Sequence, residues 1–172
     1  AIQLAEGLGG WKVLPEKELF EMEYWELEQA KLKKGINAPI FQGKIALATG
    51  AASGIGFACV EELCSQGAVV AALDINPDIT GLFNKKEISG IVCDVTDAES
   101  IKRAVDETIR QYGGLDILIS NAGTFPQSEN IEDMSPETWN KCLAINLTGH
   151  QLLLKACIPY LGLGIDPAVI II

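Results

Sequence analysis

Three glycines, Gly50, Gly54 and Gly56, come directly after the short apolar run Ile45-Ala46-Leu47-Ala48-Thr49. Backbone N–H groups at a helix N-terminus attract anions, because the dipole and the unpaired donors both favour negative charge. Glycine keeps a Cβ away from the closest approach and admits the positive φ of a tight turn. The chemistry that suits this arrangement is a pyrophosphate laid against the backbone. A second apolar run, Ala68 to Leu73, ends at Asp74, which lies 18 positions beyond Gly56. A carboxylate at that place suits the hydroxyls of an adenosine ribose and repels a 2′-phosphate. No Arg or Lys flanks it. The plainer account is a glycine-rich strand-to-helix turn followed by a solvated loop acid. The joint presence of strand, turn, helix and acid-ended strand favours the nucleotide.

Other residues able to do chemistry follow the same plan. Asp94 ends a third apolar run, Ile88 to Cys93. Asn121-Ala122-Gly123 follows a fourth, Leu115 to Ser120. Small residues there admit a close ligand, and an Asn amide can brace neighbouring strands, although Asn and Gly are also common in simple turns. Asn146 falls on a largely apolar helix face, where a buried amide costs about 1–3 kcal/mol unless its hydrogen bonds are met. His150, the single histidine, lies one turn on and reads as a surface or helix-packing residue. With one histidine and no CxxC, no metal site is expected. Cys59, Cys64, Cys93, Cys142 and Cys157 have apolar neighbours and read as reduced core thiols of a cytoplasmic protein.

These residues require βα repeats to position them. Phe57, Ala58, Val60, Leu63 and Cys64 give the helix after the glycines, closed by Gly67. Thr96 and Glu99 form a capping box for a helix whose buried face is Ile101, Ala104, Val105, Thr108, Ile109 and Tyr112, stopped by Gly113. Ser135-Pro136 opens one last long helix through Asn146 and Ala156, and Ala168 to Ile172 reads as a fifth strand. The class is α/β, a three-layer sandwich with a parallel sheet.

The spacing Thr49-Gly50-x-x-x-Gly54-x-Gly56, with Asp94-Val95, Asn121-Ala122-Gly123 and Asn146, resembles the short-chain dehydrogenase/reductase family from about Lys44 onward. The resemblance implies a Rossmann-type fold with strand order 3-2-1-4-5 and NAD as cofactor. It implies cofactor contacts at Thr49, Gly50, Ser53, Gly54, Ile55, Gly56, Asp74, Ile75, Asp94, Val95, Asn121, Ala122 and Gly123. It gives Asn146 the task of holding a water in a proton relay, the one catalytic role carried over. The family's Tyr-x-x-x-Lys pair is not found: Tyr24, Tyr112 and Tyr160 have no Lys four positions on. The expectation is a cofactor-binding half, inactive by itself, of an oxidoreductase that forms homo-oligomers. A nucleotide-binding module without catalysis is the alternative.

Residues 1–40 read as a connector and 41–172 as the nucleotide domain. Within the connector a helix is expected over 16–34, with Glu16 and Glu18 in its first turn and Lys31, Lys33 and Lys34 in its last. The run Phe20-Glu21-Met22-Glu23-Tyr24-Trp25-Glu26-Leu27 resembles the segment joining the halves of bifunctional rhamnulose-phosphate aldolase/short-chain dehydrogenases. That resemblance implies an N-terminal aldolase domain in the parent protein and lactaldehyde as small-molecule substrate, with a sugar or polyol as the other reading. A net charge of −10 argues against nucleic acid or an anionic membrane as partner. No apolar run approaches the ~20 residues of a membrane span.

Overall fold

The computed structural model describes residues 39–125 and 130–172. The helix expected over 16–34 lies outside them. The strands are β1 (Ile45–Thr49), β2 (Val69–Asp74), β3 (Ile88–Val92), β4 (Ile117–Ser120) and β5 (Ala168–Ile171). They pair in parallel in the order β3-β2-β1-β4-β5, as expected. Leu47 stands opposite Ala71 on one side and Leu118 on the other, so β1 is the central strand.

The pleat sends alternate residues to two cores. Leu47, Leu73, Ile91 and Leu118 meet α3 (Ala98–Tyr112) and α5 (His150–Leu161) through Ile101, Val105, Leu153 and Cys157. Ala46, Ala48, Val70, Ala72 and Ile119 meet α1 (Gly54–Ser65) and α2 (Ile79–Leu82) through Val60, Leu63 and Ile79. Both faces of the sheet are therefore covered at β1, β2 and β4, which is why those strands are apolar runs and not alternating ones, whereas β5 is exposed along its length. Helix α4 (Pro136–Leu143) begins at the expected Ser135 cap, whose hydroxyl accepts from Thr138 N.

Two expectations about helices are corrected. The cap of α3 is Asp97, not Thr96: its carboxylate accepts from Glu99 N at 3.0 Å and Ser100 N at 3.2 Å. Thr96 is already committed, giving both its N–H and its hydroxyl to Asp94 Oδ1. The last helix runs unbroken from Pro136 to Leu161, as expected, but it is not α-helical throughout. Between α4 and α5 the chain makes a π-helical turn, Ala144–Gly149, and Asn146 sits inside it. Wider π turns recur at functional sites because they change which residues share a face.

The buried thiols give the fold an alkaline limit. Burial pushes the Cys93 thiol up to about 11 and the Cys157 thiol up to about 12, from an ordinary 9.0. Above pH 9 the unfolded chain loses these protons first, so stability falls as pH rises, until the folded thiols ionise near pH 11–12. We expect the melting temperature to drop through this window, with several kcal/mol at stake. Cys157→Ala should flatten the decline measured by circular dichroism; an unchanged slope would exclude the thiol as its source.

Candidate functional site

The site forms where β1, β2 and β4 end. Gly50 (φ 65) and Gly54 (φ 57) both take the left-handed conformation, so the loop between β1 and α1 coils tightly enough to bring backbone donors together. Ala51 N donates to Leu73 O at 3.1 Å and Ala52 N to Asp74 Oδ2 at 2.9 Å, which ties the loop to the end of β2. The other oxygen, Asp74 Oδ1, accepts from Asn76 N at 2.9 Å. A carboxylate has about four acceptor positions. Asp74 is thus held by two backbone donors and keeps acceptor capacity for further hydroxyls.

Thr49 and Asn121 lock β1 to β4. Thr49, 1% exposed, accepts at Oγ1 from Asn121 N and Ala122 N, each at 3.0 Å. The Asn121 amide returns the tie by donating to Thr49 O at 3.0 Å and Gly50 O at 3.4 Å. Farther along, the Asn146 amide clasps one residue from both sides. Its oxygen accepts from Thr124 N and its nitrogen donates to Thr124 O, both at 2.8 Å. The expectation put this amide on an apolar face; the structure shows it exposed and latching the segment after β4.

A cleft of about 780 Å³ runs along these strand ends. Of the residues expected to touch cofactor or substrate, Gly50, Ser53, Ile55, Asp74, Ile75, Asp94, Val95, Asn121, Ala122, Gly123 and Asn146 line it. Thr49, Gly54 and Gly56 do not; they shape the loop and its brace from behind. Cys93, Thr124, Phe125, Lys141, Ile145 and His150 also line the cleft and were not foreseen. The five-residue step from Lys141 to Asn146 explains part of the miss. An ordinary helical period sets two such residues on different sides, yet both line the cleft. His150, expected as a surface or helix-packing residue, is half-buried on α5 and bonds to β4. Its Nδ1 lies 2.5 Å from the hydroxyl of Ser120, itself 1% exposed at the end of β4.

The geometry fits a dinucleotide. A Cβ on Gly50 would come within 2.8 Å of Asn121 Nδ2, so only glycine leaves the cradle its present shape. Beside it stand a carboxylate with free acceptor positions and small residues on both walls. Among the described residues no group of three or more His, Cys, Asp or Glu could hold a metal ion. No helix among them is long and apolar enough to cross a membrane.

A parallel sheet in this order, with helices on both faces of its central strands and a glycine-lined cleft at its switch point, makes this a Rossmann-type α/β protein. The sequence pattern of the family described as short chain dehydrogenase matches residues 44–172, and the chain belongs to that family. A second pattern, aldolase class II, second domain, matches residues 1–32. D-threitol dehydrogenase of Mycolicibacterium smegmatis is 38% identical over 120 residues, 66% of this chain and 46% of that protein. An uncharacterized oxidoreductase of Bacillus subtilis, YuxG, is 31% identical over 159 residues, 88% of this chain and 23% of that protein. Among solved structures, the aldohexose dehydrogenase of Thermoplasma acidophilum superposes with a TM-score of 0.69 at 30% identity, covering 77% of this chain and 50% of that one. The 3-ketoacyl-(acyl-carrier-protein) reductase of Brucella melitensis, complexed with NADH, gives 0.68 at 27% identity, over 70% and 51% of the two chains. The chain spans about half the length of most of these relatives, and about a quarter of YuxG.

Proposed function

We propose that residues 41–172 are the cofactor-binding part of an NAD-dependent oxidoreductase acting on a small polyol or sugar. Asp74 is the observation that carries the choice of NAD: a carboxylate fixed at the end of β2, with no Arg or Lys beside it in the sequence. Bound there, the nicotinamide cofactor would supply the hydride acceptor or donor. The chain's own residues bind and orient. The N–H groups of the coiled loop at Gly50, Ser53 and Ile55 face the anionic pyrophosphate. Asp74 accepts from the ribose hydroxyls, and Asp94 and Val95 border the adenine. Thr49 and Asn121 keep β1 and β4 in step, so that Ala122 and Gly123 can approach the second ribose. Asn146 holds the Thr124 segment in place, and by family membership it would hold a water of the proton relay.

The choice of a polyol or sugar is supported by relatives named as dehydrogenases of D-threitol, L-fucose and aldohexose. Lactaldehyde is the second reading, favoured by the aldolase pattern at residues 1–32. On that reading an aldolase domain of the parent protein releases the aldehyde that this domain then uses.

The test is a fluorescence titration of the intact protein with NADH and NADPH. It is followed by absorbance assays with D-threitol, L-fucose, an aldohexose and lactaldehyde. We expect tighter NADH binding and turnover of one of these. Binding of neither nucleotide would reject the function.

A further inference from the structure

We infer that His150 is a specificity-determining residue, whose Nε2–H donates a hydrogen bond to a substrate oxygen. The inference rests on the oxidoreductase reading for the kind of substrate, while the donor itself follows from the geometry.

The hydroxyl of Ser120 is buried, and its proton must go to an acceptor. Among the described residues its one side-chain partner is His150 Nδ1, at 2.5 Å. If Ser120 donates, Nδ1 accepts, and in a neutral imidazole the proton then resides on Nε2. The pair therefore sets the tautomer. Nε2 becomes a donor, and it is the remaining polar atom of a ring that lines the cleft. The described residues give it no hydrogen-bond partner.

The strand order separates this donor from the adenosine end. Asp74 and Asp94 follow β2 and β3, on one side of β1; Ser120 and His150 belong to β4 and α5, on the other. The neighbouring Asn146 amide has engaged Thr124 N and Thr124 O, and Asn121 has engaged Thr49 and Gly50. The cleft is also lined by the apolar Phe125, Ile145 and Ile172 and by one cation, Lys141, whose long flexible chain makes it a charge and not a fixed donor. A site with apolar walls and few uncommitted polar atoms selects by where those atoms stand. One fixed donor in such a wall recognises a hydroxyl or carbonyl oxygen of a small oxygen-bearing substrate.

The test uses the intact protein, D-threitol with its monodeoxy analogues, and lactaldehyde in parallel. His150→Leu should raise KM for the oxygenated substrate about 10-fold, the value of one lost hydrogen bond, with little change in kcat. It should leave NADH affinity within about twofold, since the donor serves the substrate and not the cofactor. The analogue lacking the recognised hydroxyl should be insensitive to the substitution. His150→Gln, which restores a donor, should recover most of the loss, whereas a packing role would not discriminate among analogues. Equal loss on all analogues, an unchanged KM, or parallel loss of NADH binding would overturn the inference. If the wild type binds NADH but turns over none of these compounds, the substrate reading fails instead. In that case ¹⁵N spectra decide, with the imidazole signal of His150 identified by its absence in His150→Gln. A shift of its Nε2–H on adding a polyol supports the donor, and no shift overturns it.

Discussion

Gly56→Val should abolish cofactor binding and cost several kcal/mol of stability. A Cβ on Gly56 would stand 2.1 Å from Gly50 O and 2.7 Å from Asn121 Nδ2. The first of these is backbone in a loop already coiled at Gly50 and pinned through Ala51 and Ala52, so it cannot swing aside as a side-chain end would. Moving it would pull on the Asn121 amide and through it on the register between β1 and β4. If glycine served only to keep a Cβ away from the phosphate, the damage would fall on the ligand and leave the fold largely intact. The structure moves the damage to the contact between helix α1 and the loop. Gly54 is the control. A Cβ there meets nothing within 4 Å, but the residue holds φ +57. Gly54→Ala should therefore cost only about 1–2 kcal/mol of backbone strain and keep the fold. Thermal melts and NADH titration of both variants separate the two accounts. A Gly56→Val protein with near-native melting temperature and affinity would refute this assignment of the loop.

What could be read from the sequence was local and periodic. The five strands, the glycine turn and the acids that end β2 and β3 are each declared within a few consecutive residues. The run Ile45–Ala48 needs nothing distant to mark it as a buried strand. The sheet order came from the family resemblance, since no local signal says that β4 lies beside β1. What could not be read depends on residues far apart in the chain. Ser120 and His150 are separated by 30 positions, and Asn146 and Thr124 by 22. Neither partner of either pair advertises the other. The π-helical turn was hidden for a related reason. Trp139, Leu143, Asn146 and Leu153 keep a helical spacing on either side of it, and the extra width is seen only once the turn packs. There a Cβ on Gly149 would lie 3.1 Å from Val95 O. The Asp97 cap was legible in principle. It was missed because Thr96 and Glu99 offered a familiar pattern, while Asp94 had already claimed Thr96.

Asp74→Ala should weaken NAD(H) binding by about 100-fold and narrow or invert the preference over NADP(H). Two effects combine. The ribose hydroxyls of NAD lose charge-assisted acceptors, each worth about 1.5–3 kcal/mol when made to an ionised group. The adenosine 2′-phosphate of NADP escapes a carboxylate at contact distance, where like charges repel. A third effect must be separated from these. Ala52 N and Asn76 N lose the acceptors that now hold them at 2.9 Å, so the loop itself loosens. Asp74→Asn makes the separation. Its amide oxygen can still accept from one of the two backbone donors, while its neutral charge removes the repulsion. If electrostatics govern the choice of cofactor, Asn should recover NADP(H) binding as well as Ala does while retaining more of the stability. If loop geometry governs it, Asn should resemble the wild type for both nucleotides. Titration of NADH and NADPH against the three proteins, with a thermal melt of each, decides between them. Tighter NADPH than NADH binding by the wild type would remove Asp74 from the role given to it here.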